Sequence, residues 1–203
     1  GDDGDGVNMM WEAGAVKSPV NVELTYTTPG ITDIFKTISE TMRQPNIMVN
    51  LEGLRIINEE TMQNTTFTGN AISRQTEKLA FTIISDEIIE DYAKKGLDYI
   101  TFHHNIKTVE KWDSEIEAYK SGGESETAGL SELHGDDETG QVNFWEADSL
   151  EELCEKTGIN YKNLQKTIEE YNDCAGSYDS LFNKHPKYMR AVKGKKFYAA
   201  AHR

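Results

Sequence analysis

One stretch, residues 48–59, constrains the fold more than any other. Ile47, Met48 and Val49 are large or β-branched apolar residues, and so are Leu54, Ile56 and Ile57. Between them Asn50-Leu51-Glu52-Gly53 supplies the glycine that a tight reversal needs. This spacing predicts two short strands around a turn, and the rest of the chain must offer something for that hairpin to pack on.

Size permits this. The chain has 203 residues, of which 37% are hydrophobic, enough for one sizeable domain with a core or two very small ones. A formal charge of -14 argues against nucleic acid and against anionic membrane surfaces as partners. No apolar run approaches the roughly 20 residues of a membrane-spanning helix. Nor does a basic segment followed by an apolar one open the sequence. Cys154 and Cys174 have neither metal-ligand spacing nor partners for a disulfide framework, and read as apolar residues of helices.

In chain order, Gly4-Asp5-Gly6 precedes Val7, Met9, Met10 and Ala13, a helical spacing that ends at Gly14. Calcium is a poor reading here, because Asp3, Asp5 and Val7 break the alternating oxygen pattern. A dinucleotide fingerprint fails too, since Met9 stands where the third glycine belongs. Residues 20–28 alternate as a strand, with Val20, Val22, Leu24 and Tyr26 on one face, and Pro29-Gly30 ends it. Residues 31–42 place Ile31, Ile34, Phe35, Ile38 and Met42 at helix spacing. Glu40 and Arg43, three apart, would by themselves be a surface ion pair.

Polar residues 60–69 read as a loop, 71–79 as a helix and 80–84 as a buried strand. Asp86 caps a helix over 87–95 that Gly96 stops. Residues 97–102 read as a strand and 108–119 as a helix. His103 and His104, adjacent on a strand, would point apart and chelate one metal poorly, so no metal site is assigned. Residues 121–140, rich in Gly, Ser and acid, read as a mobile insertion. Ser149 to Glu152 form a capping box for the next helix, and Asn160 caps a last one with Leu164, Ile168 and Tyr171 inward.

The residue choices themselves resemble one family. Val49-Asn50, Gly53, Arg55 and Asn58-Glu59 match V-N-x-x-G-x-R-[FI]-x-N-E, and Ser39-Glu40 with Arg43 match [TS]-E-x-x-R. Gly4-Asp5-Gly6-Val7, Ala13-Gly14-Ala15, the run from Ser149 to Asn172 with Asp179, and Phe197-Tyr198-Ala199 complete the pattern. Together they resemble the cap domain of FAD-dependent fumarate reductase/succinate dehydrogenase flavoproteins, in the soluble fumarate reductase branch. Only residues 97–140 fall outside the resemblance.

That resemblance implies an α+β fold, a small mixed or antiparallel sheet with packed helices. It implies that residues 1–15 are a remnant of the FAD-binding domain, 16–198 the cap, and 199–203 the start of the return to the FAD domain. A start without Met and an end inside an apolar segment read as the cut ends of a longer protein. The implied cofactor is FAD, bound mainly by a domain outside these residues. The implied partners are that domain and a small unsaturated substrate.

Site residues follow from the same resemblance. Gly4, Asp5 and Gly6 form a loop near the flavin, Ser39 touches a substrate carboxylate, and Glu40 and Arg43 relay protons. Two expected ligands are missing. The family's proton-donating arginine would fall at Gln63, which can donate a hydrogen bond but is no acid. Its substrate-binding histidine would fall at Thr28. Arg74 lies further on and would need a shifted loop to substitute.

A buried carboxylate without a charged partner costs several kcal/mol, so fumarate is a poor candidate and a less charged alkene a better one. The expected activity is reduction of an activated C=C bond by the full-length parent, the fragment alone being inactive. A flavin-dependent dehydrogenase of the same superfamily and a non-catalytic binding module are the alternatives.

Overall fold

The computed structural model describes residues 4–16, 26–28, 31, 35–99, 106–121 and 143–203. Their elements are α1 (Asp5–Glu12), α2 (Lys36–Met42), β1 (Met48–Val49), α3 (Thr65–Ile72), β2 (Ala80–Ser85) and α4 (Asp86–Lys95), followed by α5 (Trp112–Lys120), β3 (Phe144–Ala147), α6 (Leu150–Thr157), α7 (Tyr161–Asp173) and β4 (Phe197–His202). Among the described residues the strands form one antiparallel sheet in the order β1-β2-β4-β3. The expected α+β architecture is borne out, with an antiparallel sheet.

The last strand pairs in the middle of that sheet. β4 lies between β2 and β3, with Ala200 opposite Thr82 on one side and Phe144 on the other. Every residue of β2 and β4 is buried. Alternation along β2 sends Phe81 and Ile83 into the larger apolar cluster, with Ile38, Met42, Trp112 and Leu164. Ala80 faces the smaller cluster of Tyr26, Met48, Ile57, Met62 and Ile72. β4 also runs through the boundary expected between residues 198 and 199.

The turn forms as expected, but only the first of the two expected strands does: residues 54–57 contribute a single bridge. Val49 and Arg55 make one antiparallel bridge, and the side chain of Asn50 accepts from the Leu54 amide at 2.9 Å. Gly53 is required twice over. Its φ is +76°, and a Cβ there would lie 2.7 Å from the Leu164 nitrogen and 2.8 Å from the Asn160 oxygen, at the start of α7.

The motif's Arg55 and Glu59 have a structural task. Arg55 donates to Glu59 from Nε and Nη2 at 2.9 and 2.7 Å, and to both oxygens of Asp179 at 3.0 and 2.9 Å. Lys184 Nζ stands 3.3 Å from Glu59 and donates to the Pro45 carbonyl and the Tyr171 hydroxyl, each at 2.7 Å. All four charged side chains are buried. This network ties the hairpin to residues 179–184 near the other end of the chain.

The C-terminal helices match their sequence signals. Ser149 Oγ accepts from the Glu152 amide at 3.1 Å, and Glu152 accepts in return from the Asp148 amide at 2.8 Å. Asn160 caps α7 through the Asn163 amide at 3.0 Å.

Other expectations need correction. Residues 60–69 are not a loop, nor 71–79 a helix: a 3-10 turn spans Glu59–Gln63, α3 spans Thr65–Ile72, and a second short turn follows at Thr76–Lys78. Asn58 and Asn64 cap these elements, accepting from Glu60 at 3.0 Å and from Phe67 at 2.9 Å. Positive φ at Glu77 and Lys78 ends any helical continuation. Asp86 is the first helical residue of α4, with Ser85 at the cap position. Helix α5 starts at Trp112, not near Thr108.

Asp5 and Gly6, expected in a loop, form the first turn of α1 behind Gly4. Residues 97–99 form no strand. Residues 20–25, His103, His104 and the expected insertion beyond Ser121 lie outside the described residues. Among the described residues no helix is long and apolar enough to cross a membrane.

Candidate active site

Helix α2 presents the polar residues singled out above. Ser39, Glu40 and Thr41 are all buried. The Ser39 hydroxyl finds no hydrogen-bond partner among the described residues. Burial raises the Glu40 carboxyl above its ordinary pKa, while the Arg43 charge pulls it partly back. Arg43 closes the helix at its C-cap, where its backbone carbonyl accepts from the Gln63 side-chain amide at 3.2 Å. Gln63 therefore meets the candidate relay arginine at its backbone.

Arg43 also reaches Tyr26, its guanidinium carbon lying 5.0 Å from the ring centroid. The Tyr26 hydroxyl donates to the Met62 carbonyl at 2.9 Å, one residue before Gln63. Burial raises the phenol's pKa, and Arg43 opposes that rise. Tyr26 in turn meets His202 edge to face, with centroids 5.2 Å apart.

His202 joins the group from the far end of the chain. Its Nδ1 is 3.0 Å from Thr28 Oγ1 and its Nε2 is 2.8 Å from Thr82 Oγ1. The ring is fully buried, and burial, with Arg43 nearby, pushes its pKa down to about 3. At neutral pH it is an uncharged imidazole, one nitrogen donating and the other accepting.

These contacts bring Arg43 and Gln63 directly together and link them through Tyr26 and His202 to Thr28. Among the described residues Gly4, Asp5 and Gly6 are not joined to them: α1 has no buried residue, and nothing described lies within 4 Å of a Cβ built on Gly4 or Gly6. Arg74 lines a shallow surface hollow with Asn64, Phe67 and Asn70 and makes no ion pair among the described residues. Sequence reasoning missed His202. Its available signal was a histidine ending an apolar run that had to be a strand, two residues beyond Ala200 on the same face.

No family model matches the chain. Over 204 residues it is 24% identical to the vinyl phenol reductase of Lactiplantibacillus plantarum, a match covering 96% of this chain and 38% of that protein. The open conformation of a flavocytochrome c3 fumarate reductase superposes with a TM-score of 0.53 at 22% identity, covering 98% of this chain and 28% of that one. The chain is fumarate reductase flavoprotein-like in fold. The resemblance carried by its hairpin and C-terminal helices is thereby borne out.

A solution structure of a fumarate reductase flavoprotein subunit from Lactobacillus plantarum superposes on this flavoprotein-like chain with a TM-score of 0.51 at 22% identity. That match covers 86% of this chain and 93% of the other, so a chain little larger than the shared fold has been solved alone. The 3-ketosteroid delta1-dehydrogenase of Sterolibacterium denitrificans shares the fold at 16% identity and a TM-score of 0.51, with coverage of 98% and 34%. This chain spans little more than a third of the curated relative and of that dehydrogenase.

Proposed function

We propose that this chain is the substrate-closing cap of a FAD-dependent oxidoreductase that reduces an activated carbon–carbon double bond, with residues 16–198 as the cap proper. The observation that carries this reading is the Gln63–Arg43 contact. The position where the resemblance expects a proton donor is tied to the backbone of the relay arginine, in a chain whose relatives include reductases.

FAD fits these residues only as a visitor to their surface. The start of α1 is exposed, with open space at Gly4 and Gly6, so a ring held by another domain could approach there, while nothing described encloses one. When bound, the reduced flavin supplies hydride. The chain's own residues handle substrate and proton. The Ser39 hydroxyl, buried with no partner among the described residues, carries a penalty of about 1–3 kcal/mol that a substrate oxygen would offset. Glu40, with its raised pKa, holds a proton closer to neutrality and passes it along Arg43. Gln63 can donate a hydrogen bond but is no acid, so the last proton comes from another group, a tyrosine or water.

The same groups select the substrate class. The two positions where the resemblance expects cationic ligands hold neutral ones, Gln63 and the Thr28–His202 pair. A second substrate carboxylate would be buried without a counter-charge. A vinyl phenol or aryl-acrylate suits the site better than fumarate.

The test is anaerobic reoxidation of the reduced full-length flavoprotein. Vinyl phenols or aryl-acrylates are expected to reoxidise it rapidly and fumarate slowly, and Glu40→Gln to slow turnover by about 100-fold. Rapid reoxidation by fumarate would overturn the substrate class. Silence across the panel, with flavin bound, would overturn the reductase reading.

A further inference from the structure

Helix α2 has only seven residues, and its N-cap position, Phe35, offers no side-chain hydrogen bond. Its first amides still need acceptors, because the opening turn of any helix leaves them without intrahelical partners. The acceptor comes from α5. Glu115 Oε1 accepts from the Thr37 amide at 3.2 Å and Oε2 from the Ile38 amide at 3.0 Å. One carboxylate thus caps a helix 77 and 78 positions away in sequence, with its charge at the favourable end of the helix dipole.

Glu115 is buried on the same face of α5 as Trp112 and Ile116, where an apolar residue would otherwise be expected. Its own helix is well anchored. Trp112 packs edge-on against Tyr198 of β4 with centroids 5.2 Å apart, and Tyr119 against Phe35 at 5.5 Å. The carboxylate therefore stands at a fixed place relative to the central strand. Helix α5 lies within residues 97–140, the region that the family resemblance does not cover.

We infer that Glu115 is a positioning residue: by capping α2 from α5 it fixes where Ser39, Glu40 and Arg43 stand. Its consequence for turnover rests on the reading of those residues given above. The capping itself does not.

The first measurement is amide hydrogen exchange on this chain. Glu115→Ala should speed exchange at Thr37 and Ile38 by about tenfold. Glu115→Gln, which keeps one acceptor oxygen, should give a smaller rise, and the β2 and β4 amides should stay unchanged. Unchanged exchange at 37 and 38, or an equal rise throughout the sheet, would overturn the inference. Glu115→Gln keeps the test decisive should the alanine variant fail to fold.

The second measurement is turnover of the flavin-containing protein. Glu115→Gln is expected to lower kcat and to raise KM, since Ser39, which would meet the substrate, is displaced together with the relay. Unaltered kcat would overturn the positioning role. A wild-type protein that reduces no alkene would overturn the proposed reaction and leave the exchange result standing.

Discussion

His202 shows how a buried residue couples to pH. Its folded pKa lies near 3, against an ordinary value of 6.5. The unfolded chain therefore binds a proton that the folded chain refuses, and stability falls as pH drops from about 6.5 towards 3. Fully expressed, a shift of this size corresponds to up to about 5 kcal/mol. Glu40 works in the opposite sense: with a raised folded pKa, its contribution is complete below 4.5 and is lost as pH rises through the folded value. Glutamine at position 202 can still donate to one threonine and accept from the other but does not titrate. His202→Gln should flatten the decline in urea-measured stability between pH 6.5 and 4. An unchanged slope would mean that other groups carry the acid sensitivity.

Between elements, a buried tie runs from Arg55 to Glu59 and Asp179. Burial alone would raise the Asp179 pKa, but Arg55 outweighs it and holds the carboxyl below the usual range. Replacing Arg55 with methionine keeps much of the volume and leaves Glu59 and Asp179 with only Lys184 nearby. The expected loss is about 3–5 kcal/mol, read as a lower urea midpoint with an unchanged slope. A loss under about 1 kcal/mol would place the fork on the level of a surface pair. The partners lie 124 residues apart, so nothing local announced the pairing, although the motif containing Arg55 and Glu59 marked one half of it. The hairpin and the last two helices were legible because glycine, serine and asparagine sit at the positions that turns and caps demand. Residues 60–79 were misread because Asn58 and Asn64 cap from within a Thr- and Asn-rich stretch that looks like a loop, while Met62 and Ile72 supply too short an apolar pattern to correct it.

At the scale of the whole molecule, a candidate site is gathered from separate parts of the chain beside one sheet. Residues 26–28 come from before α2, Ser39, Glu40 and Arg43 from α2, and His202 from the strand that closes the sequence; Thr27 and Arg203 exchange two backbone hydrogen bonds at 3.1 Å that hold the first and last of these together. The sequence motif located the middle contribution, whereas strand pairing alone located His202. What the described residues lack is an enclosure for a flavin: Val7, Met9, Met10 and Trp11 of α1 are exposed, and the polar cluster is buried against its own sheet. Rate enhancement depends on holding donor and acceptor together in a water-poor site. This chain should therefore leave the rate of alkene reduction by free, chemically reduced FAD within about twofold of the protein-free rate. An enhancement of about tenfold or more by the chain alone would show that it builds a complete active site, and the cap reading would have to be abandoned.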